Sequence, residues 1–159
     1  MALWIRNFIA GGSAVQQIHQ PRFTTALDLV RAGYEDLIEL RDGLSPSTHL
    51  VFHAYDFAIA DGRGVCNYGP WLKPTFDLRG FPSQAQGTAV VKVMLQQFGA
   101  MLAQLAAAHP KVSLVPTQGT LVQQTSSWHN ELHPGKAGFD AMATKFRLHL
   151  KALFPTRVQ

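Results

Sequence analysis

Two short apolar runs, THLVFHAY at 48–55 and VSLVP at 112–116, bracket a long helical one, and this arrangement limits the fold more than any other feature of the chain. Each run is rich in β-branched or aliphatic residues and bounded by turn residues, the mark of a buried strand. Between them, Thr88 to Ala108 is rich in Ala, Leu, Gln and Met, with Val91, Leu95, Phe98, Met101, Leu102 and Leu105 at helical spacing. Strand, helix and strand in chain order predict a right-handed crossover joining two parallel strands, hence an α/β fold. Gly99 falls inside the helical run, where glycine costs about 1 kcal/mol relative to alanine, so close packing is expected at that point.

The flanking segments extend the alternation. From Thr25 to Asp42, Leu27, Val30, Tyr34, Leu37 and Ile38 share one predicted helical face, and Gly43 followed by Pro46 marks the stop. Phe139, Met142, Phe146, Leu150 and Leu153 do the same for a last helix from about Pro134 to Leu153. Residues 2–9 fit a strand or a helical turn, and 13–23 read as loop. Residues 56–87 carry Gly62, Gly64, Gly69, Gly80 and Gly87 with Pro70, Pro74 and Pro82, and lack a sustained period. A loop of that length in a compact domain usually serves binding; one short helix fits near Trp71–Asp77. Residues 1–159 therefore read as a single α/β unit with a long loop over its site. In parallel sheets ligands collect beyond the carboxyl ends of the strands, where the 55–87 and 117–133 loops both begin.

Composition removes several alternatives. With 47% hydrophobic and 15% charged residues, the chain is too apolar to stay disordered. The net charge of +4 is spread over Lys136, Lys145, Arg147, Lys151 and Arg157 without a basic, aromatic-studded stripe, which argues against nucleic-acid binding. The single Cys66 permits no intrachain disulfide and no cysteine-rich zinc site. No run reaches the roughly 18 consecutive apolar residues of a membrane span. Arg6 interrupts the apolar start, so no signal peptide is expected and the cytoplasm is the default location.

Chemistry concentrates in SSWHNELHPGKAGF, 126–139. Pro134 suits a first helical position, which puts His133 on a loop at a helix entrance. A neutral imidazole there is a candidate general base; the alternative is a surface loop with two unremarkable histidines. His129 and His133 stand four apart with Glu131 between, but HNELH is not the HExxH pattern and lies outside a helix, so no metal is expected. His53, inside an apolar strand, reads as a core histidine. Trp71, Phe76 and Phe81 either line a pocket or anchor the long loop, the latter being favoured.

NELHPGKAGFDAMATKF resembles the last block of the SGNH (GDSL-type) hydrolases, in which Asp-x-x-His-Pro and then Gly lead into the final helix; His133, Pro134 and Gly138 match it. HAYDFAIADGRGVCNYGPWLKPTFDLRGF is similar to the middle of bacterial members. The resemblance implies a three-layer αβα, flavodoxin-like parallel sheet, of which this chain is the C-terminal part. It also implies a serine ester hydrolase (lipase- or esterase-like) acting on small carboxylic esters without a cofactor. His133 would then be the general base that takes a proton from a serine. Asn130 occupies the family's Asp position and would orient His133 without adding charge; Glu131 and Asp56 are less direct candidates for that task. No Gly-Asp-Ser block occurs, and Gly11-Gly12-Ser13 does not match it. The nucleophile, glycine and asparagine blocks are thus expected upstream, the chain is expected to be inactive alone, and the truncated sheet is expected to expose an edge that drives self-association. The rival readings are a non-catalytic α/β binding module and a truncated product without independent function.

Overall fold

The computed structural model describes residues 1–158. Helix α1 spans Gln20–Leu44, strand β1 Leu50–His53, helix α2 Lys73–Leu78, helix α3 Gln84–Ala108, strand β2 Val112–Val115 and helix α4 Lys136–Leu153, with a 3-10 turn at Thr125–Ser127. β1 and β2 pair in parallel, Leu50 opposite Val112 and His53 opposite Val115, with α3 as the crossover. The architecture is mixed α/β around a two-stranded parallel sheet.

The strands' period of two sorts their side chains onto two faces. Leu50, Phe52, Val112 and Leu114 meet Ile38 of α1 and Met101, Leu102 and Leu105 of α3, and the rings of Tyr34 and Phe52 lie 4.8 Å apart. The opposite face carries Ser113 and His53, which touch His149 and Phe146 of α4. A second cluster joins Ile5, Ile18, Phe23, Phe76, Phe81, Val90 and Met94, packing the first residues and the long loop onto the N-terminal half of α3.

The side chain of Arg41 ties the strand entries to α1. It is 6% exposed and donates to the carbonyls of Thr48, Pro110 and Lys111 at 2.7–3.1 Å, which precede β1 and β2. Gly99 is a close-packing position, since a Cβ there would come within 2.8 Å of Gln118, whose amide donates to Leu95 O at 2.6 Å. Helix α3 is long and apolar enough to cross a membrane by length and composition alone, with a mean hydropathy of 1.3. Here its Val90, Val91, Met94, Met101, Leu102 and Leu105 are buried in the core.

Several expectations need correction. α1 begins at Gln20, inside the stretch expected as loop, because Pro21 fits its first turn. Val30 and Leu37 are each 44% exposed, since α1 turns Phe23, Ile38 and Arg41 inward. Phe139, expected on the inner face of α4, is also exposed. Residues 2–9 form neither alternative outright: Ile5 makes one isolated antiparallel bridge to Ile18. His53 is exposed rather than core: its side of β1 meets only the edge of Phe146 from α4, with the ring centroids 5.5 Å apart. Leu50 donates to Lys111 O at 2.9 Å; alternation then turns the N–H and C=O of Val51 and His53 away from β2, toward an open edge.

Candidate active site

Both loops that leave the carboxyl ends of the strands are laced together by buried carboxylates. Asp56, just past β1, is 3% exposed and accepts from the N–H groups of Phe57, Gly119 and Leu121 at 2.7–2.8 Å. That holds the loop after β2 against the end of β1. Glu131 is fully buried and accepts four backbone N–H groups of the long loop. They come from Gly62 at 2.9 Å, Trp71 at 2.5 Å, Leu72 at 2.7 Å and Lys73 at 2.8 Å. Three of these donors lie at the entrance to α2, where a negative charge also suits the helix dipole. Arg63 adds bonds to the carbonyls of Trp128 and Thr125 at 2.8 and 3.0 Å. Both acidic residues are committed to scaffolding, so neither orients His133.

That task falls to Asn130. Its Oδ1 accepts from the N–H groups of Leu132 and His133 at 2.8 and 2.9 Å and lies 3.1 Å from His133 Nδ1. Two backbone donors on Oδ1 fix which way the amide faces, because a flipped amide would set N–H against N–H. His133 Nδ1 must therefore carry the proton, which leaves Nε2 as the unprotonated nitrogen of the neutral ring. The side chain is exposed, so Nε2 is open to a ligand. Asn130 itself is fully buried, and its Nδ2 has no partner among the described residues.

The local backbone explains the presentation. His129 N–H donates to His133 O at 2.8 Å, and Trp128 bridges Pro134, closing a tight loop that projects His133. Pro134 is not the first helical residue. α4 starts at Lys136 with Gly135 as its cap, and Pro134 instead keeps His133 out of helical conformation. Gly138 is buried, and a Cβ on it would come within 2.8 Å of Pro134 and 3.1 Å of Leu121, so the first turn of α4 rests directly on the histidine loop.

A pocket of about 280 Å³ opens beside His133, walled by Tyr55, Trp128, Leu132, Phe139, Met142 and Phe146. Tyr55 stacks on Trp128 at 6.4 Å, and burial pushes its phenol above the ordinary value of 10.0. Of the aromatics singled out in the sequence, Phe76 and Phe81 are core anchors, and Trp71 donates its N–H to Glu131. Three of the wall residues, Phe139, Met142 and Phe146, read in the sequence only as a helix face, and Tyr55, Trp128 and Leu132 were not singled out. The wall's only sequence signal is aromatic residues flanking both strand ends and the histidine loop. Among the described residues, no hydrogen bond joins Ser126 or Ser127 to His133, and no three His, Cys, Asp or Glu side chains group as metal ligands.

No protein-family model, curated protein or solved structure matches this chain.

Proposed function

We propose that this chain is the base-bearing portion of an SGNH-like serine ester hydrolase with a flavodoxin-like parallel sheet, and that it acts on small carboxylic esters once a nucleophile is supplied. The observation that carries the reading is the Asn130–His133 pair. A neutral imidazole held by Nδ1 and open at Nε2 is what a general base for a serine hydroxyl requires. The adjoining pocket is apolar, as suits the acyl or alcohol part of an ester. His133 takes the hydroxyl proton as the oxygen attacks the ester carbonyl and returns it to the leaving alkoxide. Oxyanion donors and the nucleophile come from residues beyond 1–159. The open edge of β1 lies beside this pocket, and in the isolated chain it favours self-association, which light scattering would read.

The test is a comparison of residues 1–159 with the product that includes the coding sequence immediately upstream of Met1. The short chain should neither hydrolyse a p-nitrophenyl ester as serine esterases do nor label with a fluorophosphonate. The longer product should label on one serine, and His133→Ala should abolish that label. Turnover by the short chain that disappears on mutating Ser126 or Ser127 would overturn the reading. A non-catalytic α/β module is the second reading, favoured by the neutral Asn130; a longer product without a labelled serine selects it.

A further inference from the structure

Every sheet contact of α4 described above passes through an imidazole. His149 Nε2 lies 2.8 Å from Ser113 Oγ, and His49 Nε2 lies 3.2 Å from the same oxygen. Phe154, at the C-terminal end of α4, meets the His49 ring edge-on at 5.7 Å. Phe146 meets His53 at 5.5 Å. The first residues of α4 are held by the histidine loop, but apart from Gly138 none of its residues is buried. These contacts, with the half-buried Met142, Phe146 and Leu150, hold the helix to the sheet.

The charges around them are mostly positive; Asp42 pairs with Arg41 at 2.6 Å, and the buried Asp56 lines the pocket beside His53. Arg41 of α1 and Lys111 at the entry to β2 face His49. On α4 and the tail lie Lys145, Arg147, Lys151 and Arg157, and the one acidic residue of α4, Asp140, pairs with Lys136 at 3.0 Å at the far end. Lys145 reaches Pro116 O at 2.9 Å. The hydroxyl of Ser113 serves two neutral rings well, donating to one Nε2 and accepting from the other. A proton on His49 takes away the acceptor at its Nε2 and puts a cation across one oxygen from His149, near Arg41 and Lys111.

We propose that α4 is an acid-released element. Protonation of His49, set across Ser113 Oγ from His149, loosens the helix from the sheet and takes away the Phe139, Met142 and Phe146 wall of the pocket. The proposal does not depend on His133 being a base. Burial, then repulsion from His149, Arg41 and Lys111, holds His49 below the ordinary histidine value of 6.5. A depressed folded-state value means the unfolded or undocked form binds the proton more readily. Docking is thus fully supported above pH 6.5 and weakens as pH falls below it, through the folded value.

Hydrogen exchange of the full chain, under reducing conditions and corrected for the intrinsic pH dependence, tests this at about pH 7.5 and about pH 5. Amides of residues 140–153 should lose protection relative to those of α3 at the lower pH, and high salt should shrink that loss. The double variant His49→Gln/His149→Gln should show a much smaller acid effect. An unchanged ratio of α4 to α3 protection overturns the proposal, as does a parallel loss in both helices. So does an acid loss that salt and the double variant leave intact.

Discussion

Glu131 is the perturbation whose size the geometry fixes best. Its two carboxylate oxygens each accept two backbone N–H groups, Gly62 and Lys73 on Oε1, Trp71 and Leu72 on Oε2. Glu131→Gln keeps the shape but turns one oxygen into an NH₂ group facing two donors. Hydrogen bonds to a charged group contribute about 1.5–3 kcal/mol each, so losing two costs about 3–6 kcal/mol. A domain of this kind is stable by about 5–15 kcal/mol, and the variant should lie near or past the edge of unfolding. Glu131→Asp keeps the charge but shortens the reach by one methylene, and should fall between the two. Urea titration followed by tryptophan fluorescence reads this well, because Trp71 donates to Glu131 and Trp128 lines the same loop. A loss below about 1 kcal/mol for Glu131→Gln, within the range of an ordinary neutral hydrogen bond, would refute the claim that this carboxylate holds the long loop in place.

Three further outcomes are expected. Nitrogen-15 NMR of the neutral His133 ring should show Nδ1 protonated and Nε2 bare; Asn130→Ala should mix the tautomers, since it removes the acceptor at Nδ1. Arg41→Met should cost about 3–5 kcal/mol in chemical denaturation, because three strand-entry carbonyls lose a buried charged donor, and Arg41→Lys should recover only part of it. Gly138→Ala should lose about 1–3 kcal/mol through overpacking against Pro134 and Leu121, whereas alanine at the open position Gly33 of α1 should gain up to about 1 kcal/mol.

The sequence was most legible where one physical pattern acted alone. The β-branched runs became β1 and β2, the crossover run became α3, and the short helix expected near Trp71–Asp77 formed as α2 at Lys73–Leu78. Periodicity failed where burial needed a neighbour. Val30, Leu37 and Phe139 have the right spacing for a core face, yet only part of each stripe meets α3 or the sheet. The Asn130–His133 contact was legible only through the resemblance to the SGNH end block, which sets Asn130 in the orienting position; spacing did not reveal the tight loop that brings the two together. The roles of Asp56 and Glu131 were not legible, because their partners are backbone N–H groups up to 69 residues away in sequence. An N–H group leaves no trace in side-chain pattern, so a carboxylate that recruits four of them reads in sequence as an ordinary acidic loop residue.

Asn130 separates the structural and chemical demands on this loop. Two of its three contacts serve the backbone of Leu132 and His133, and a carboxylate oxygen at the same place would accept them equally well. Asn130→Asp should therefore leave the loop intact, and its effect should fall on the third contact, the 3.1 Å approach to His133 Nδ1. There the amide orients the ring but offers no charge to the imidazolium that forms when Nε2 takes a proton. A unit charge pair near a protein surface is on the order of 4 kcal/mol at 4 Å, which at about 1.36 kcal/mol per tenfold in rate bounds the gain at about a thousandfold. If a longer product supplies the serine, as the proposed function requires, Asn130→Asp in that product should raise kcat for ester hydrolysis within that bound and leave KM nearly unchanged, because the charge acts only once the proton has moved. A fall in kcat with the fold intact by circular dichroism would mean that His133 does not become an imidazolium during turnover, and the base assignment would fail.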